Sequence, residues 1–178
     1  MAGWRRHLFP LLMLLGLAGS AQAAFDTSLT DAQLQGVLQG HFPLREYAVI
    51  ARINLQAPRV ILEKGRQEII LRIPVEANVI GDTLHQGHVV VAVGLNYQPS
   101  SGGLYLGQPR VQQFSLPGVD SKVVAELREY VVNILRGALS LVQIYTVREQ
   151  DLNHSLAKSA LKQFALEDGR LRLEFGFQ

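Results

Sequence analysis

DSKVVAELREYVVNILRGALSLVQIY, residues 120–145, is the stretch on which the reading of this chain turns. Asp120 is a good helix N-cap, and Pro117-Gly118 marks a turn just ahead of it. Steps of 100° per residue place Val123, Val124, Leu127, Tyr130, Val131, Ile134, Leu135, Ala138, Leu139, Leu141, Val142 and Tyr145 on one side. Lys122, Glu126, Glu129, Asn133, Arg136 and Ser140 fall opposite. The apolar arc spans roughly 180–200°, against about 100° for an ordinary surface helix. A continuous helix over these residues would be about 36 Å long.

The sequence before it alternates with period two, the mark of strands with one buried face. Over 47–57 the odd positions read Tyr47, Val49, Ala51, Ile53, Leu55. Over 69–79 they read Ile69, Leu71, Ile73, Val75, Ala77, Val79, and over 89–97 Val89, Val91, Val93, Leu95, Tyr97. Residues 104–116 alternate less regularly. Turn chemistry separates these runs at Glu63-Lys64-Gly65-Arg66, Gly81-Asp82 and Pro99-Ser100-Ser101-Gly102-Gly103. Short connections argue an antiparallel meander. Gly94 inside a strand predicts a bend or bulge, and Pro74 a bulge or an edge position. Ten-residue strands are about 33 Å long, so they match the helix.

Thr30-Asp31-Ala32-Gln33 reads as a capping box opening a short helix with Leu34, Val37 and Leu38 on one face and an end before Pro43. Towards the C-terminus, Thr146-Val147-Arg148 reads as a short strand and 151–161 as a second short helix. Residues 163–166 and 171–177 form a hairpin about Asp168-Gly169. Together these elements predict an α+β fold. A curved antiparallel sheet is wrapped around one long helix in the C-terminal half, with short N- and C-terminal helices and a terminal hairpin. The broad apolar arc is then either dry core or, in part, the lining of a groove.

Residues 1–7 carry Arg5 and Arg6 and no acid, 8–18 are apolar but for Pro10 and Gly16, and Ala21-Gln22-Ala23 follows. This is the layout of a secretory signal peptide. Its apolar run is short of the roughly 20 residues a bilayer span needs. We expect residues 1–23 to be removed and 24–178 to form a single periplasmic domain. The whole chain has 17 basic and 15 acidic residues, and removing the leader brings them into balance. No basic tract interleaved with aromatics occurs, so a nucleic-acid partner is not expected. Charged residues are 18% of the chain, below the usual share of about 25%, and 48% are hydrophobic, so a core can be buried. The absence of cysteine excludes disulfides, thiolate metal sites, cysteine nucleophiles and a thioether lipid anchor.

Catalytic patterns are missing from the sequence. There is no G-x-S-x-G elbow and no phosphate-cradling P-loop. Glu63, Glu68, Glu76 and Asp82 are scattered rather than paired for acid–base work. His85 and His88 beside Asp82 form the one group resembling metal ligands, and a solvated loop accounts for them better. The expectation is a protein that is not an enzyme and holds neither metal nor cofactor.

Three stretches carry a family resemblance: Gly103-Leu104-Tyr105-Leu106 with the irregular strand to Leu116, then Ile144-Tyr145-Thr146-Val147, and Asp151-Leu152 through Ala157-Lys158 leading to Asp168-Gly169. With them the chain resembles the YceB-like family of bacterial envelope lipoproteins, a domain of unknown function. That family is similar to the tubular lipid-binding (TULIP) superfold, which carries acyl chains between helix and sheet. The resemblance implies non-catalytic periplasmic binding, or transport, of a lipid or other apolar molecule, with transient membrane contact compatible with that role. The lining would be Leu127, Val131, Ile134, Leu135 and Ala138 of the helix with Leu71, Ile73, Val91 and Val93 of the strands. The alternative is an envelope protein-interaction or structural module with a dry core. The chain departs from the lipoprotein pattern in offering no cysteine to acylate.

Overall fold

The computed structural model describes residues 25–79, 83–147, 159–167 and 169–177. The expected leader, Asp82, Asp168 and residues 151–158 of the second short helix lie outside them. Strand β1 (Phe25–Thr30) runs directly into helix α1 (Asp31–Gln39). Both arms of the capping box form: the Gln33 N–H donates to Thr30 Oγ1 at 3.2 Å, and the Thr30 N–H donates to Gln33 Oε1 at 2.8 Å. Each satisfies a backbone donor that a helix start leaves orphaned.

Six strands follow: β2 (Leu44–Tyr47), β3 (Ala51–Leu55), β4 (Arg59–Ile61), β5 (Ile69–Val79), β6 (Thr83–Gln98) and β7 (Gly103–Ser115). After them come helix α2 (Ser121–Leu139), β8 (Gln143–Thr146), β9 (Ser159–Glu167) and β10 (Arg170–Phe177). One antiparallel sheet of seven strands has the order β2-β3-β5-β6-β7-β8, with β4 also paired to β5. A second sheet of three strands has the order β1-β10-β9. Arg172 of β10 donates to Asp26 of β1 at 2.7 Å across their shared border.

In β5 the odd residues Ile69, Leu71, Ile73, Val75 and Ala77 are buried and face inward, while Arg72, Pro74, Glu76 and Asn78 face outward. Val89, Val91 and Val93 of β6 continue the inner face in register with Ile73, Leu71 and Ile69. Pro74 sits where its neighbouring strand is interrupted, since β3 pairs with 75–79 and β4 with 70–72. Its carbonyl accepts from the Gln56 N–H at 2.9 Å. A strand residue's N–H points to the same side as its carbonyl, so the donor that proline lacks would have faced the interruption. The β6–β7 register shifts between Val93 and Leu95, at Gly94, as the glycine predicts.

The expected α+β arrangement, a sheet wrapped around one long helix, is not the fold. The chain is mainly β, a curled antiparallel half-barrel with two helices among the described residues. Helix α2 stops at Leu139, well short of Tyr145. The Ser140 hydroxyl turns back to the Arg136 carbonyl at 2.7 Å, and Gln143–Thr146 then pairs with the free edge of β7. The residues given to the end of a rod instead satisfy a sheet edge, where Ile144 and Thr146, both β-branched, fit well. At 19 residues α2 is about 28 Å long. Tyr47 belongs to β2 and faces outward, because 48–50 are the turn into β3 rather than strand. Ser159–Leu161, assigned to the second short helix, begin β9. The terminal hairpin forms as expected, with Gly169 at φ +75° in its turn.

One contiguous apolar core joins the inner face of the large sheet, both helices and the small sheet. Phe175 of β10 closes it at one end. Its ring stacks on Tyr145 at 5.9 Å and meets Tyr97 edge-on at 5.7 Å.

Candidate functional site

The candidate site is the apolar core that the inner face of β5 and β6 shares with α2. Leu127, Val131, Leu135 and Leu139 are spaced four apart along α2 and are fully buried. Leu71, Ile73, Val91 and Val93 are buried in the same core. Of the nine lining residues read from the sequence, seven are therefore deep in one apolar body. Ile134 and Ala138 are half-buried on α2.

The two flanks of α2 differ. On one flank the helix packs along β7, and Arg128 donates to the Val111 carbonyl at 3.4 Å. The opposite flank, on the 100° helical rotation, carries Val123, Tyr130 and Ile134, all partly open to water. This flank faces the β2–β3 turn, because the Tyr130 hydroxyl donates to the Tyr47 carbonyl at 3.0 Å. The turn presents Val49, fully exposed at 104%, and Tyr47, exposed at 70%, with half-buried Ile50 between turn and core. Arg52 lies over the outer face of the Tyr47 ring at 5.1 Å, a cation–π contact that steadies the tyrosine. Gly137 also lies on this flank, and a Cβ there would meet nothing within 4 Å. The apolar arc of the helix is thus half committed to core and half left along a seam.

Sequence reasoning did not single out Tyr47, Val49 and Ile50 as a surface feature. Tyr47 and Val49 continue the odd-position alternation into 51–55, and no Gly, Pro, Asn or Asp marks the turn at 48–50. Leu141, assigned to the buried side of the helix, is exposed at 77% just beyond its end.

His85 and His88 do not form a pair. They are three positions apart on an extended strand and so lie on opposite faces of β6. The His85 Nδ1 lies 3.3 Å from the Pro117 carbonyl, and His88 lines a separate cleft on the outer face. Among the described residues no group of three histidines or carboxylates is placed to hold a metal ion. No helix among them is long and apolar enough to cross a membrane.

The model of a family described as "Protein of unknown function (DUF1439)" matches residues 29–170, most of the chain. No curated protein matches the chain.

Proposed function

The chain belongs to the DUF1439 family, and since the family's function is itself unknown we propose a role from the geometry: the protein binds a lipid or similar apolar molecule between α2 and the curled sheet. The partly open apolar seam along α2 is the observation that carries this reading. A protein built only around a dry core gains by closing Val123, Tyr130 and Ile134 against Val49 and Ile50, at about 25 cal/mol per Å² of apolar surface removed from water. Here those groups stay partly wet, and the one hydrogen bond described between helix and turn is Tyr130 to Tyr47. That is the side from which a chain-like apolar guest would enter.

Affinity in such a site comes from burial, about 0.8 kcal/mol per methylene, so it needs no catalytic or charged motif. The resemblance to YceB-like proteins and to the TULIP superfold supports the same reading, though here the sheet curls beside the helix rather than around it. With the expected leader, the setting would be the periplasm. Mass spectrometry of molecules released from protein purified from its native host tests the proposal. About one acyl-bearing lipid per chain is the expected result. Repeated recovery of empty protein that also fails to take up a fluorescent fatty acid would overturn it and favour an interaction module.

A further inference from the structure

A second site lies on the opposite, outer face of the large sheet. Arg59 of β4 and Arg72 of β5 are direct cross-strand partners, with both side chains exposed on that face. Like charges directly opposite on neighbouring strands repel and destabilise the pairing. Among the described residues neither guanidinium has a carboxylate partner, whereas Arg66, Arg110, Arg128 and Arg172 all do. The two arginines line a cleft of about 740 Å³ that also receives Gln39, Gln86, His88 and Ser115, and no Asp or Glu lines it. Glu76, the next acid along this face of β5, is four residues from Arg72, about 13 Å away, and accepts instead from the Asn54 and Gln56 amides.

We infer that this cleft binds a phosphate-bearing anion, with Arg59 and Arg72 as a two-pronged clamp and the polar side chains around it completing the oxygen shell. An anion held between the two guanidiniums turns their mutual repulsion into two charge-assisted contacts, each with the fork geometry that suits a bidentate grip on phosphate oxygens. Its floor is rigid, because β5 is paired on both sides, and Gln35 of α1 fixes the rim by accepting from the Val60 N–H at 2.9 Å and donating to the Pro58 carbonyl. The cleft and the apolar seam are on opposite faces of the sheet, so failure of either proposal leaves the other standing.

Calorimetric titration of the full chain with inorganic phosphate and with glycerol 1-phosphate, against chloride at matched ionic strength, reads the site directly. Vesicles of phosphatidylcholine with and without phosphatidylglycerol separate a lipid phosphate from a free one. The expected result is phosphate binding that weakens at least about tenfold in Arg59→Gln/Arg72→Gln, the equivalent of one charge-assisted hydrogen bond. Arg110→Gln, which removes an arginine already paired with Glu68, leaves it unchanged. The double variant should melt no lower than the parent in phosphate-free buffer of low salt, because relieved repulsion offsets the lost packing. Arg59→Lys/Arg72→Lys keeps the charge without the fork and should bind several-fold more weakly than the parent. Vesicle capture lost with the arginine pair assigns a lipid phosphate, and soluble phosphate binding alone assigns a free ester. Phosphate binding no tighter than chloride, or retained in the double glutamine variant, overturns the assignment.

Discussion

Replacing Tyr130 by Phe removes one oxygen and tests where a guest would enter. The hydroxyl donates to the Tyr47 carbonyl at 3.0 Å across the α2–turn seam, while the ring packs on the core and stays in Phe. A typical intramolecular hydrogen bond contributes about 0.5–1.5 kcal/mol net. Tyr47 is exposed, so its freed carbonyl is rehydrated, which puts the loss near the low end, about 0.5–1 kcal/mol. If entry requires α2 and the turn to part, the parted population rises by the same free energy, a factor of about 2–5. Stopped-flow mixing with a fluorescent fatty acid, with protein in excess, reads this as a second-order uptake rate about two- to fivefold faster than the parent. The melting temperature should fall by a few degrees at most. A Tyr130→Phe protein that melts lower yet takes up the probe at the parental rate would show that the seam is not the route.

Other expectations follow from the packing. Leu135→Ala empties a position with no exposure at the centre of the core and should cost about 2–5 kcal/mol in denaturant unfolding, with the slope little changed. Gly137→Ala adds a methyl that meets nothing within 4 Å in the last turns of α2, and should raise stability by about 0.5–1 kcal/mol in the same assay. Gly87→Ala is the opposite case, since its Cβ would lie 2.0 Å from the Ser115 carbonyl oxygen, a backbone atom that no rotamer change can move. That variant should lose soluble expression or melt many degrees lower. Thr30→Ala breaks the capping box and should cost about 1 kcal/mol, read as a lowered melting temperature.

The central strands were legible because local pattern and tertiary environment agree there. Residues 69–79 alternate in sequence and form β5 with those bounds, and the Asp168-Gly169 signal set the terminal hairpin. Legibility failed where a distant partner decided the matter. β1 finds its partner β10 at the far end of the chain, pairing Thr30 with Arg170, and no local signal announces that. Residues 143–145 read as helix until the open edge of β7 claims them. β4, three residues long, is too short to show a period. Burial of seven of the nine apolar positions could be read from periodicity, because periodicity reports which side is inward. The seam could not, since it depends on how far the helix stands from a turn whose own residues look like strand. The arginine clamp emerges from the β4–β5 register, which places residues 59 and 72 side by side across a connection with no fixed length in the sequence.

The gap beside Pro74 bears on how the half-barrel keeps its shape. Since β3 and β4 are separate pieces on either side of that residue, this side of β5 is flanked by two short segments rather than by one continuous strand. The junction between them is pinned on both sides, because the Gln56 N–H donates to the Pro74 carbonyl at 2.9 Å and Gln35 of α1 holds the Pro58 carbonyl and the Val60 N–H. A flank built from two anchored segments lets the sheet change direction at the proline while the long paired run of β5, β6 and β7 stays intact.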